Sequence, residues 1–332
     1  MSNILVTGAT GFLGQHVVKR LVAKGFNVTA IGRNNTIGKT LPKDVRFISL
    51  SLEDRKGIFN AMQNQDVVIH CGALSSVWGK YEHFYTSNVV GTQNMVDAAL
   101  LHNVKRFVHV STPSIYFNLQ DRSKIDVKED SLLPNPAINF YADTKRKAEE
   151  VVDEAFRKGL ATITIRPRAL FGPGDNAIIP RLIKANQKSG VPFINEGKVL
   201  TDITYVENVV DVLCLCLDSD EKTFGKKYNI TNGEPVYLGE ILEKVFNMLN
   251  QPMRKKELKY KNILLVASFF EKVYRFFQIK KEPIITPYTV TVLAHSQTLN
   301  IDAAKTDLGY EPRISVEEGI HLFAEWWKTQ ND

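Results

Sequence analysis

A tyrosine and a lysine four residues apart carry the first sign of chemistry in this chain. In Tyr141-Ala-Asp-Thr-Lys145 the two side chains fall one turn apart on the same face of a helix. A free phenol has a pKa of about 10, so it is a poor base at neutral pH unless a nearby cation stabilises the phenolate. Lys145 supplies that cation. A further hydroxyl stands in Ser111-Thr112-Pro-Ser-Ile-Tyr116, directly after the apolar run Phe107-Val-His-Val110. If that run is a strand of an open parallel sheet, Ser111 and Thr112 lie at its carboxyl end, the edge where ligands bind. Phenol, ammonium and hydroxyl together can move a proton to or from a substrate oxygen.

A second cluster lies at the start of the chain, where Gly8-Ala-Thr10-Gly11-Phe12-Leu13-Gly14 follows an apolar run and opens a helical pattern. Strand, glycine turn and helix in that order suit a dinucleotide. The glycines permit a tight turn and close backbone approach to a pyrophosphate, and the helix N-terminus faces the anion. The next strand pattern does not end in the acid that would accept from a ribose 2′-hydroxyl; Gly32-Arg33 stand there instead. A guanidinium pairs bidentately with a 2′-phosphate that a carboxylate would repel, so NADP is the preferred cofactor expected and NAD the second choice. Replacing Gly32 by Asp is expected to invert that order.

These residues need elements to hold them. Apolar runs over 4–7, 28–31, 46–50, 67–70, 106–111 and 162–166 predict strands, and helical periodicity over 12–24, 55–62, 86–102 and 141–158 fills the gaps. The alternation predicts an α/β fold, a Rossmann-type doubly wound parallel sheet. Beyond Gly172 it breaks, with Pro173, Pro180, Pro192 and Pro235 separating short elements. The expected division is a dinucleotide-binding domain over 1–171, to which later segments return, and a smaller mixed substrate lobe over 172–332.

Composition bounds the rest. The chain has 332 residues, 23% of them charged and 44% hydrophobic, which excludes disordered and collagen-like classes. Its three cysteines, Cys71, Cys214 and Cys216, make neither a disulfide framework nor a zinc spacing. No metal is expected, and a reducing, cytoplasmic setting fits best. The first residues lack a secretory pattern, and no apolar run approaches the roughly 20 residues of a spanning helix. The net charge of +6 is concentrated in 254–281, where basic residues outnumber Glu257 and Glu271 and alternate with Ile263, Leu264, Leu265, Phe269, Phe270, Tyr274, Phe276 and Phe277. That segment reads as a helix packed on the substrate lobe, as an apolar flap over a greasy substrate, or as a peripheral contact with anionic lipid. No recognised nucleic-acid-binding fold accompanies the charge, so nucleic acid is not an expected partner.

The motifs Gly8-x-x-Gly11-x-x-Gly14, His70-Cys-Gly-Ala73, Asn88-Val-Val-Gly-Thr92, Ser111-Thr112, Tyr141-x-x-x-Lys145, Arg166-Pro167 with Phe171-Gly-Pro-Gly-Asp175, and Tyr205-Val-Glu-Asn208 are spread along the chain. Together they resemble the extended short-chain dehydrogenase/reductases, the epimerase/dehydratase-like group. The resemblance implies Tyr141 as general acid/base, Lys145 as the group that lowers its pKa and holds the nicotinamide ribose, and Thr112 rather than Ser111 as the catalytic hydroxyl. Ala73, Asn88 and Pro167 join the expected cofactor site. Dimers through two helices are common in the family, so a homodimer is expected.

Departures from the family pattern narrow the chemistry. Pro113-Ser114 follow Thr112 where sugar dehydratases carry an acidic pair, so dehydration is not expected. Thr201-Asp202-Ile203 lacks the arginine with which nucleotide-sugar epimerases clamp a diphosphate, and Ser51 stands where an adenine-binding Asp is frequent. The stretches 283–290, 300–305, 308–312 and 316–319 resemble the 3β-hydroxysteroid dehydrogenase branch, especially sterol-4-carboxylate 3-dehydrogenases, and the bacterial 2-alkyl-3-ketoalkanoate reductases. Both act on an oxygen β to a carboxylate on a large apolar body. The expected activity is hydride transfer between nicotinamide and the 3-keto or 3-hydroxy position of a hydrophobic small molecule. A nucleotide-sugar epimerase and a non-catalytic NADP-sensing regulator are the alternatives. On the substrate side the candidates are Ser75, Trp78, Ser114, Arg168 and Phe171. Arg168 either pairs with a substrate carboxylate or holds a loop. Trp78 and Phe171 either line an apolar pocket or pack plainly, and His70 and His109 read as core residues.

Overall fold

A computed structural model describes residues 2–119 and 123–331. Seven strands, β1 (Asn3–Thr7), β2 (Asn27–Gly32), β3 (Arg46–Ser49), β4 (Val67–His70), β5 (Arg106–Val110), β6 (Thr162–Pro167) and β7 (Lys227–Ile230), form one sheet. Their order is β7-β6-β5-β4-β1-β2-β3, and every neighbouring pair is parallel. The order reverses between β1 and β4, which opens a crevice at their carboxyl ends.

The strands are apolar on both faces because helices cover both. Ile4 and Val6 of β1 face a core shared with α1 (Phe12–Ala23) and with α5 (Val206–Asp218), which comes from far along the chain. Leu5 faces the opposite core, built with α2 (Arg55–Met62), α3 (Gly91–Leu101) and α4 (Phe140–Arg157). Cys216 is buried in α5 as a small apolar residue, while Cys214 is half-buried.

Two expectations change. The helix read over 86–102 is divided into a short helix, Tyr81–Phe84, a π-helical turn, Tyr85–Val90, and α3. The wider turn sits at Asn88, and such turns recur at functional sites. Strand β7 has no apolar pattern to announce it, because Lys227 and Asn229 occupy half of it. Asn229 is nevertheless fully buried: its amide donates to the Val127 carbonyl at 3.0 Å, its carbonyl accepts from Tyr116 at 2.9 Å, and its backbone N–H donates to Glu129 at 2.8 Å.

The remaining segments sit at the carboxyl edge as small sheets and helices around a core that includes Phe171, Phe193, Tyr205, Phe246 and Phe323. Within 254–281, Lys255–Leu258 pairs in parallel with Val191–Ile194. It is followed by α6 (Tyr260–Phe276), which packs on α7 (Pro287–Ala294) through Ala267, Val290 and Ala294. Among the described residues no helix is long and apolar enough to cross a membrane.

Candidate active site

The glycine turn is built as a cradle. Gly8 has φ +67°, a left-handed conformation that costs glycine nothing, and a Cβ on Gly14 would lie 2.1 Å from the Gly8 carbonyl oxygen. Helix α1 can therefore seat directly on the turn. Gly11 begins it without a side-chain cap, and no acid stands in its first turn, so its N-terminal amides suit an anion. These features fit the pyrophosphate of a dinucleotide. Phe12 and Leu13 are half-buried at the same helix start. A loop from the second half of the sequence closes over it: His16 bonds the Pro173 carbonyl at 2.8 Å and Glu207 at 2.5 Å.

Arg33 is exposed just past β2 and lines a cavity of about 250 Å³ with Glu53, Leu74, His83, Thr86 and Ser87. Gly32 beside it is buried, and a Cβ there would stand 2.6 Å from the Thr10 hydroxyl oxygen. Thr10 thus fills the space that an acid at position 32 would enter. For Gly32→Asp to act on the cofactor as expected, the Thr10 side chain must shift to admit it.

Asn88 is engaged within the protein. Its carbonyl accepts from the Leu74 N–H at 2.6 Å, and its amide donates to the Leu74 carbonyl at 3.2 Å and to the Thr144 hydroxyl at 3.0 Å. It ties the loop that carries Ala73 and Ser75 to α4, so it holds the cofactor side of the crevice through that loop. Pro167 is buried at the end of β6, on the same edge of the sheet.

Helix α4 presents the tyrosine and lysine. Asn139 caps it by accepting from the Ala142 N–H at 2.8 Å, which places Tyr141 in the first turn. Further along, a buried bidentate pair joins Glu149 to Arg166 of β6, at 2.9 and 2.6 Å. Lys145 is buried, and its ammonium donates to the Val110 carbonyl at 2.8 Å and to the Nε2 of His109 at 3.2 Å. Burial pushes Lys145 down to about 8, against the opposing pull of Glu149 and Cys71. Burial also holds His109 well below its ordinary value, with Lys145 adding to the effect. The imidazole is therefore neutral and accepts. His109 stacks on His70, whose ring bonds Thr7 at 2.7 Å and Thr92 at 3.1 Å.

Three hydroxyls form a chain at the site: Thr112 donates to Ser114 at 3.1 Å, and Ser114 bonds the phenol of Tyr288, on α7, at 3.0 Å. Burial pushes Tyr141 up to about 12, with Thr112 working against the shift and Tyr288 adding to it, so the lowering by Lys145 that the resemblance implies is corrected: burial outweighs it and the phenol lies above its ordinary value. The buried Ser111 hydroxyl has no hydrogen-bond partner among the described residues. Beyond this chain lies Arg168, buried, with its guanidinium 4.8 Å over the Phe117 ring and one nitrogen 3.4 Å from the Thr201 hydroxyl. Its Nε has no hydrogen-bond partner among the described residues. Burial lowers its pKa, and the nearby Tyr288 and Asp202 offset part of that. Burial pushes Asp202 up to about 6, opposed by the 2.7 Å bond from the Leu299 N–H and by Arg168.

The other substrate candidates separate. Ser75 is exposed on the loop after β4. Trp78 is held by α6 and the residues after it, donating to the Ile279 carbonyl at 3.0 Å with Arg275 4.9 Å over its ring. Phe171 is 2% exposed and packs edge-on against Tyr205 at 5.7 Å. It belongs to the lobe core, which corrects its expected place on a pocket wall. Tyr288, Asp202 and the accepting role of His109 were not legible in the sequence, because no local spacing links position 288 or 202 to the strand ends they meet.

Residues 4–231 match the NAD dependent epimerase/dehydratase family, and the chain belongs to it. It is 35% identical over 97% of its length to the Escherichia coli (strain K12) protein YbjS, also 97% covered. It is 30% identical to a 2-alkyl-3-oxoalkanoate reductase of Stenotrophomonas maltophilia (strain K279a), over 96% of this chain and 97% of that one. It is likewise 30% identical to the human sterol-4-alpha-carboxylate 3-dehydrogenase, decarboxylating, over 95% and 85%. In fold it is similar to a UDP-glucose 4-epimerase of Thermotoga maritima, with a TM-score of 0.80 at 20% identity, covering 99% of this chain and 100% of that one. Family and relatives make it an NAD-dependent dehydrogenase or reductase, as the motifs led one to expect.

Proposed function

We propose that this enzyme transfers hydride between a nicotinamide cofactor, NADP(H) preferred, and the 3-position of a hydrophobic 3-keto or 3-hydroxy acid. A bound nicotinamide supplies or takes up the hydride. In the reductive direction Tyr141 gives its proton to the substrate oxygen, and Thr112 turns its single O–H from Ser114 to donate to the same oxygen. Lys145 stabilises the phenolate that remains, and Ser114 and Tyr288 continue the hydroxyl chain away from it. The observation that carries the acid in this reading is Arg168: a buried guanidinium whose Nε has no partner among the described residues, past the end of the hydroxyl chain that starts at Thr112. A carboxylate β to the reacting carbon would give it the charged partner it lacks. The names of the two relatives, an oxoalkanoate reductase and a sterol-carboxylate 3-dehydrogenase, combine the same two groups.

The test is an NADPH oxidation assay on 2-alkyl-3-oxo acids, their methyl esters and UDP-sugars. Turnover of the free acids, with Arg168→Gln raising their KM much more than that of the esters, is the expected result. Interconversion of UDP-sugar epimers without net oxidation of NADPH, read by chromatography of the sugars, would replace this reading with an epimerase, and no turnover of any of these compounds would replace it with a dinucleotide sensor.

A further inference from the structure

A surface helix ordinarily turns its apolar stripe inward and its charges outward. Helix α6 packs Ala267, Ile263 and Leu264 inward but carries a second apolar stripe outward among its charges. Ala267 is its only fully buried residue, whereas Leu265 is 71%, Phe269 64% and Phe276 80% exposed, and Phe277 just after it 67%. Leu265, Phe269, Lys272 and Phe276 follow one another at helical spacing, so they form one stripe, and Val266, Phe270 and Phe277 widen it. The charges along this outward face are lysines: Lys261 and Lys272 beside the stripe, then Lys280 and Lys281 just beyond the helix, all exposed. The one acid in the helix, Glu271, is half-buried and bonded to Arg275 at 2.6 Å.

We propose that this face docks on an anionic lipid surface. Exposed aromatic and aliphatic side chains can enter the headgroup boundary, while lysines with long apolar stems reach back to anionic headgroups. The charge pattern selects this occupant over a second copy of the chain, since a two-fold contact through the face would set lysine against lysine. The same helix reaches the catalytic crevice. Tyr274 packs edge-on to Trp78 at 6.0 Å, and Arg275 lies 4.5 Å over the ring of Phe140, the neighbour of Tyr141. Docking therefore brings the crevice next to the lipid, where an apolar substrate would be concentrated. That consequence rests on the substrate reading above; the docking surface does not.

The test is co-sedimentation with vesicles of phosphatidylglycerol and phosphatidylcholine, against phosphatidylcholine alone, with no substrate present. The protein should sediment with the anionic vesicles, and molar salt should release it. Two variants separate the contributions: Phe269→Ser with Phe276→Ser and Phe277→Ser, and Lys272→Glu with Lys280→Glu and Lys281→Glu. Each should weaken vesicle binding by at least about tenfold. Unchanged NADPH binding would show that both variants are folded. Wild-type protein that stays in the supernatant overturns the proposal, as does a folded variant that sediments like the wild type. A dimer that the phenylalanine variant converts to monomer, without vesicle binding, overturns it in favour of a second copy. Because binding is read without turnover, an error in the substrate reading would leave this result intact.

Discussion

In the proposed reaction Tyr141 and Lys145 divide one task, and their environments set what each can do. Burial pushes the phenol up to about 12, so Tyr141 is protonated at neutral pH and ready to donate. Tyr141→Phe should lower turnover by roughly 10²–10⁴-fold and leave NADPH affinity nearly unchanged; a variant keeping more than a few per cent of the rate would remove Tyr141 from the proton step. Lys145 titrates at about 8. Above that value it is neutral and no longer stabilises a phenolate, so the reductive kcat should fall as pH rises through about 8. A kcat that stays level across that pH would separate Lys145 from the phenol. Arg33 is the third residue with a single consequence. It is exposed and has room beside it, so Arg33→Ala should cut NADPH affinity while sparing NADH, by about the roughly 1.5–3 kcal/mol of a charge-assisted contact. Titration of both cofactors into both proteins measures it, and equal affinities in the wild type would refute the preference.

At the scale of elements, the site depends on where α4 sits. Its position is held by the Arg166–Glu149 pair, by Asn139 at its start and by Asn88 through Thr144. Burial works against the charge of Arg166, but Glu149, with Tyr116 adding to it, outweighs burial and raises the Arg166 pKa, so the guanidinium keeps its charge in the presence of its partner. Glu149→Ala leaves that guanidinium buried without its counter-charge and should cost about 3–5 kcal/mol of stability, read from chemical denaturation. A loss below about 1 kcal/mol would mean that the pair behaves as an exposed one. These partners explain why the element was legible but its anchoring was not. The helix over 141–158 shows its periodicity locally, whereas Arg166 and Asn88, distant in sequence, meet it only in the folded chain.

At the scale of the molecule, the crevice is closed by segments that the chain reaches late. The loop at Pro173 is tied to α1 through His16, and Tyr288 arrives from α7. Cofactor binding should therefore stabilise both halves of the structure at once. At a hundredfold excess over Kd, NADPH should add about 2.7 kcal/mol, visible as a single thermal transition moved upward. Two transitions, only one of them moved, would show that the later segments do not share the site.

The α/β alternation, the glycine turn and the Tyr141/Lys145 pair were determined by the sequence alone, because each rests on interactions between residues close in the chain. Backbone conformation at Gly8, the spacing of one helical turn, and apolar runs covered on both faces need no distant partner to be recognised. Strand β7, the hydroxyl chain to Tyr288, the neutral imidazole beneath Lys145 and the buried guanidinium of Arg168 were decided only by tertiary structure. Each depends on groups brought together from separate segments, and on the loss of water around them, which sets their charge and hydrogen bonding. Phe171 and α6 mark the same boundary from opposite sides. Both read as apolar in the sequence, yet packing buries the first and leaves the phenylalanines of the second facing outward.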